Sequence, residues 1–189
     1  MSTTFRAVGR PRVTFIKQIE VLVVQSNPAD TILTIEALKA AGLTNGLRRV
    51  SEGNDALRYL LRKGPHSNVP IPDLIFLDLS QPRMASLEVL KIVRSTPALT
   101  HIPVVVAAGS DDPQFVRSVY ALNGNCFIRK PGELEEFARF IETCYQFWCG
   151  VVTLVPSRPK TAPEIAGGGQ SIQKFSKSLD APKAIRRLK

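Results

Sequence analysis

Two apolar patterns alternate along the chain. Short blocks of β-branched and other apolar residues recur at 20–24 (EVLVV), 73–79 (DLIFLDL), 102–108 (IPVVVAA) and 125–129 (NCFIR), with a shorter block at 46–51. Runs of this kind predict strands buried on both faces. Between them the apolar positions space out to three and four residues, which predicts helices. Leu33, Ala37 and Ala41 mark a helix over 28–41, opened by Ser26-Asn27-Pro28 and stopped by Gly42. Asn54 is placed to cap a second helix carrying Leu57, Leu60 and Leu61, with Gly64 after its end. A loop containing three prolines follows at 65–72. Further helices are predicted over 86–95, 113–122 and 133–148. The last carries a stripe of Leu134, Phe137, Ile141, Cys144 and Trp148.

Five strands alternating with five helices predict an α/β fold, a doubly wound five-stranded parallel sheet with helices on both faces. Ligands and chemistry in such a sheet gather at the carboxyl ends of the strands. The residues expected there are Gln25 and Ser26 after the first strand and Asp78 at the end of the third. Ala108 and Gly109 follow the fourth strand, and Lys130-Pro131 follows the fifth.

The net charge of +9 belongs to the ends of the chain. Residues 1–19 carry +4 and residues 157–189 carry +6, which leaves −1 for the stretch between. The basicity therefore describes two segments and not a face of the folded body. This divides the chain into a basic flexible segment (1–18), a folded domain (19–155) and a basic linker and tail (156–189). Within the tail, Ile172, Phe175 and Leu179 fall on one helical face, a candidate docking helix. Cys126, Cys144 and Cys149 form no CxxC and lie far from His66 and His101 in sequence. That argues against a zinc site or a disulfide framework and points to a reducing, cytoplasmic setting. Cys126 reads as an inert strand residue, and the two histidines as loop residues. No nucleophile–base pair or cofactor loop supports an enzyme.

Asp78 in IFLDL, Lys130-Pro131 in CFIRKP and the spacing between them resemble the receiver domains of two-component response regulators. NPADTILTIEALKAAG, PRM at 82–84, HIPVVV at 101–106 and FW…VVTLVP at 147–156 narrow the resemblance. They are similar to the stand-alone regulators that partner bacterial phytochrome-type histidine kinases. The resemblance implies a flavodoxin-like receiver fold with Asp78 at the phosphoacceptor position and Lys130 as the phosphate partner. It also implies switch positions at Ala108 and Phe127 and a histidine kinase as partner.

The departures from the family pattern carry the functional expectation. The family has two acidic residues after the first strand that help hold Mg²⁺, where this chain has Gln25 and Ser26. Mg²⁺ favours carboxylate oxygens, so its binding is expected to be weak or absent, and no other cofactor is implied. The family has a hydroxyl residue after the fourth strand, where this chain has Ala108. Ser110, two residues on, is out of register. Ala85-Ser86 replaces the family's Asp-Gly. One carboxylate and one ammonium then sum to zero, and an Asp78–Lys130 ion pair can form without metal. The expected function is a non-catalytic two-component signalling protein. It would be a degenerate receiver that acts by protein–protein contact, with phosphorylation weak or absent. The alternatives are a conventional regulator phosphorylated on Asp78, and an adaptor that meets nucleic acid or an anionic membrane surface through its basic ends.

The last helix adds an expectation about assembly. Phe140 and Phe147 lie to one side of its stripe and Tyr145 to the other, which widens the apolar arc beyond the ~100° that core packing requires. A symmetric dimer through Phe140, Phe147, Tyr145 and the apolar segment 150–155 is expected. The alternative is that 150–155 folds back over the two phenylalanines.

Overall fold

The structure, a computed structural model, describes residues 19–79 and 83–155, with the backbone alone for 83–86. The basic ends, the candidate docking helix at 172–179 and the side chains of Ala85 and Ser86 lie outside the described residues.

Five strands form one parallel sheet: β1 (Val21–Val24), β2 (Leu47–Val50), β3 (Leu74–Asp78), β4 (Val104–Ala108) and β5 (Cys126–Arg129). Their order is β2-β1-β3-β4-β5, the doubly wound arrangement expected. The helices are α1 (Pro28–Ala40), α2 (Gly53–Leu60), α3 (Arg83–Ser95), α4 (Pro113–Ala121) and α5 (Leu134–Gln146). Parallel pairing leaves each strand needing a crossover, and the helices supply it. β1, β3 and β4 are buried at every position, as their apolar blocks predict.

Strand periodicity sorts the core into two layers. Leu22, Val24, Ile75, Leu77, Val104 and Val106 face α2, α3 and α4. Val21, Val23, Leu74, Phe76, Val105 and Ile128 face α1 and α5, where Ala37, Leu38, Phe137, Ile141 and Tyr145 meet them.

The helix signals hold at α1 and fail at α2. Asn27 Oδ1 accepts from the backbone N–H groups of Ala29 (2.9 Å) and Asp30 (3.3 Å), and Pro28 opens the first turn. Ala41 caps the other end, and Gly42 follows in the left-handed region (φ 104°). α2 instead begins at Gly53, so Asn54 lies inside its first turn and caps nothing. Its chain reverses at Arg62 (φ 54°), ahead of Gly64, which opens a 3₁₀ turn, Gly64–His66. α3 starts three residues before the expected 86.

A close backbone approach and one guanidinium hold the loops at the amino edge of the sheet. Gly46 (φ 79°) must be glycine, because a Cβ there would sit 2.3 Å from the carbonyl oxygen of Ile19. The Arg94 guanidinium donates to the carbonyls of Asn123 (2.8 Å), Thr100 (3.0 Å) and Ile102 (3.0 Å) and to the Asn125 side chain. It thereby ties α3 to the turns that precede β4 and β5. His66, read from the sequence as a loop residue, lies in the 3₁₀ turn, pairs through Nε2 with Asp55 Oδ1 at 2.9 Å and packs on the Tyr59 ring.

Arg94→Ala should therefore cost about 2–3 kcal/mol of unfolding free energy, because it orphans several carbonyls together. Urea denaturation measures it. Arg94→Lys should recover little, since an ammonium cannot reproduce the planar fork. A neutral Arg94→Ala would show that water satisfies these carbonyls equally well.

Candidate functional site

Strand alternation alone brings three side chains to one place. Counting by twos from Val21 and Val23 puts Gln25 on the α1/α5 face. The same count from Leu74 and Phe76 puts Asp78 there, and from Cys126 and Ile128 it puts Lys130 there. All three sit at or just beyond the carboxyl ends of β1, β3 and β5. Helix α1 starts from this edge, and its first-turn acid, Asp30, points into the same site.

Lys130 is the centre of the arrangement. Its Nζ donates to Asp30 Oδ2 at 2.7 Å and to Asp78 Oδ2 in a second ion pair. The side chains are 11% exposed for Lys130, 3% for Asp78 and 23% for Asp30. The ammonium also lies 5.6 Å from the centre of the Phe137 ring on α5. Helix packing supplies the second carboxylate, which changes the expected charge balance. Among the described residues two carboxylates face this ammonium, so these three groups sum to −1 and not to zero. Sequence spacing hid Asp30, which lies 100 residues from Lys130. The available signal was its place in the first turn after the first strand.

The neutral positions have distinct fates. Gln25 is buried and, among the described residues, its side-chain Oε1 has no hydrogen-bond partner; the Thr34 hydroxyl on α1 is in the same condition. Both line a small cavity with Asp78, Phe137 and Ile141. Ser26 is exposed at the rim. Ala108 is 1% exposed and offers only backbone, its carbonyl accepting from the Lys130 N–H at 2.7 Å. Ser110 is engaged elsewhere, accepting from the Asp112 N–H at 3.3 Å. Phe127 points to the opposite face of the sheet, half-buried, edge-on to Phe115 of α4 with ring centres 6.0 Å apart. Among the described residues no group of three or more His, Cys, Asp and Glu is placed to hold a metal ion. Among the described residues the side-chain oxygen donors at the strand ends include Asp30, Asp78 and Gln25.

The far end of α5 departs from the helical-wheel expectation. Tyr145, assigned to a dimer face, is 1% exposed and belongs to the core with Phe137 and Ile141. Burial pushes its phenol well above the usual tyrosine range. Leu134, assigned to the core stripe, is 63% exposed because it sits in the first turn. The buried stripe thus follows the four-residue spacing 137, 141, 145. Phe140 and Phe147 are 38% and 48% exposed. α5 ends in a π-helical turn, Phe147–Val151, where the Phe147 and Trp148 rings meet edge to face. The segment after it does not seal the phenylalanines in, for Val151 and Val155 are themselves 73% and 55% exposed.

Residues 21–142 match the response regulator receiver domain family. The response regulator Rcp1 of Synechocystis sp. is 34% identical over 134 residues, covering 71% of this chain and 91% of that protein. The crystal structure of the phosphorylated cyanobacterial phytochrome response regulator RcpA superposes with a TM-score of 0.70. It is 33% identical and covers 74% of this chain and 100% of that one. The Mn²⁺-bound form of Rcp1 gives a TM-score of 0.69 at 33% identity, covering 73% and 99%.

Removing the central ammonium tests the site. Lys130→Met should cost about 3 kcal/mol, because it removes the cation that two largely buried carboxylates share. Adding Asp78→Asn to that variant should recover part of the loss. Both changes are read by chemical denaturation at neutral pH, and a neutral Lys130→Met would mean that the ammonium compensates neither carboxylate.

Proposed function

The chain belongs to the response regulator receiver family, and from that premise we propose that it is a degenerate receiver. In this reading it signals by protein–protein contact, and transfer of phosphate to Asp78 is weak or absent. A histidine kinase is the partner the family implies. The observation that carries the reading is the Lys130 ammonium bridging Asp30 and Asp78. The carboxylate that would take the phosphoryl group is already compensated, by a cation the chain itself provides.

Weak Mg²⁺ affinity is part of the same reading. The donor set does not suit the ion. Two of its oxygen donors, Asp30 and Asp78, share the ammonium, and the third is the neutral carbonyl of Gln25. Mg²⁺ holds best where carboxylates can replace part of its water shell. A second reading, a conventional phosphoacceptor, is favoured by one specific fact: the relative RcpA has been crystallised phosphorylated. The third, an adaptor using the basic ends, rests on charge alone.

Assembly is proposed on a reduced face. With Tyr145 in the core, the dimer surface consists of Phe140, Phe147, Val151 and Val155, exposed along α5 and the segment after it. A second copy of the chain is the occupant that suits a self-complementary apolar strip.

Two experiments test these statements. Incubation with acetyl phosphate and Mg²⁺, followed by intact mass, should show little adduct, while Gln25→Glu/Ser26→Asp should gain Mg²⁺ affinity by calorimetry. Efficient Mg²⁺-dependent labelling that vanishes in Asp78→Asn would establish the second reading instead. For the dimer, sedimentation of the unaltered chain should give a dimer and Phe140→Glu/Phe147→Glu a folded monomer. A monomeric unaltered chain refutes it.

A further inference from the structure

Two polar atoms in the α1/α5 layer call for a partner that the protein itself does not provide. Gln25 continues the inward face of β1 by twos from Val21 and Val23 and is 4% exposed. Thr34, 1% exposed, lies on the buried side of α1 between Thr31 and Leu38. The two threonines of this helix behave differently. Thr31 donates its hydroxyl to the Asn27 carbonyl four residues back, at 2.7 Å, as helical threonines commonly do. Thr34 does not: among the described residues neither its Oγ1 nor Gln25 Oε1 has a hydrogen-bond partner. Buried polar atoms in this condition cost free energy that a valine at 34 and a leucine at 25 would avoid.

Both side chains line one cavity of about 10 Å³, together with Asp78, Phe137 and Ile141. That volume suits a single water, for which roughly 10–15 Å³ suffices, and excludes any organic ligand. We propose that one internal water occupies this cavity and joins Gln25, Thr34 and Asp78. The water accepts from the Thr34 hydroxyl and donates one hydrogen to Gln25 Oε1. Its other hydrogen goes to the Asp78 carboxylate, whose Oδ2 also takes the Lys130 ammonium. Two acceptors and one hydroxyl are matched by a molecule that carries two donors and accepts as well. A bare cation suits the cavity less. Phe137, Ile141 and Phe76 give it an apolar wall, where an ion would lose its hydration beside an ammonium already held by Asp78.

The water ties the end of β1 and the second turn of α1 to the end of β3. Thr34 stands four residues after Asp30 on the same side of the helix, so the tie also holds the turn that brings Asp30 to Lys130. The inference stands apart from the phosphorylation reading and survives its failure.

A crystal structure of the full chain that shows ordered water tests it. One peak is expected about 2.7–3.2 Å from both Gln25 Oε1 and Thr34 Oγ1. Gln25→Leu/Thr34→Val keeps the volume nearly unchanged and removes both partners, so it should lose the peak. Thr34→Ser keeps the hydroxyl and should retain it. In solution, magnetisation transfer from a long-lived water to the Ile141 methyl groups should be present in the unaltered chain and lost in the double variant. If the double variant does not fold, the unaltered chain and Thr34→Ser decide. The proposal is overturned by the absence of a peak, by a direct hydrogen bond between Gln25 and Thr34, or by a peak that survives the double replacement. An anomalous signal at the site in thallium-soaked crystals overturns it too, since the occupant would then be a monovalent cation.

Discussion

The sharing of one ammonium between two carboxylates orders the carboxyl edge of this fold. Lys130, Asp78 and Asp30 come from β5, β3 and α1, so the contact joins the edge strand, the central strand and a helix. Charges this deeply placed are tolerated only when paired, and loss of one partner from such a pair typically costs about 3–5 kcal/mol. The desolvation cost is offset only by good geometry. The geometry follows from the length of the lysine stem, which lets one cation reach from β5 across to α1 while lying against Phe137.

The sheet was the most legible part of the chain, because strands buried on both faces write their burial directly as apolar blocks. The strand ends were legible with it, and period two puts Gln25, Asp78 and Lys130 on one face once the two core layers are known. What stayed hidden depended on helix docking. Asp30 reads as an ordinary first-turn acid until α1 is seen to start from the edge where Lys130 ends. Tyr145 and Leu134 exchanged places for a similar reason. A helix of 13 residues offers several apolar arcs, and the one that is buried is decided by the strands beneath it. Arg62 shows the limit of turn chemistry: a non-glycine residue takes the positive φ of the turn that ends α2, closed by the Lys63 N–H donating to the Arg58 carbonyl at 2.8 Å.

Helix α5 links features that look unrelated along the sequence. Phe137 touches the charge site, Cys144 packs on the layer that α1 and α5 cover, and Phe140 and Phe147 remain on its outer side. One helix can do this because successive faces pass by every few residues. Burying Tyr145 narrows the outer strip but also fixes the rotation of the helix. The two phenylalanines are therefore held at a defined orientation, as an interface requires.

The two main readings of Asp78 differ in one physical quantity, the cost of releasing Lys130. A phosphoryl group on Asp78 would replace a charge of −1 with roughly −2. The site would then move from −1 to about −2, with Asp30 still facing it and Ala108 offering no hydroxyl. The ammonium could turn wholly to the phosphoryl oxygens, but Asp30 would lose its partner. Alternatively Lys130 could stay with Asp30, and the new charge would stand with little compensation. An added divalent cation would relieve either strain, yet Gln25 and Ser26 give it no negative charge to hold it. Asp30 thus has a double effect. It stabilises the resting lysine and raises the barrier to using that lysine elsewhere. Replacing Asp30 with asparagine would remove the competition at its source. Asp30→Asn should therefore increase any acetyl phosphate adduct at Asp78, even with Gln25 and Ser26 unchanged. An adduct no greater than that of the unaltered chain would place the obstacle in the missing metal ligands alone.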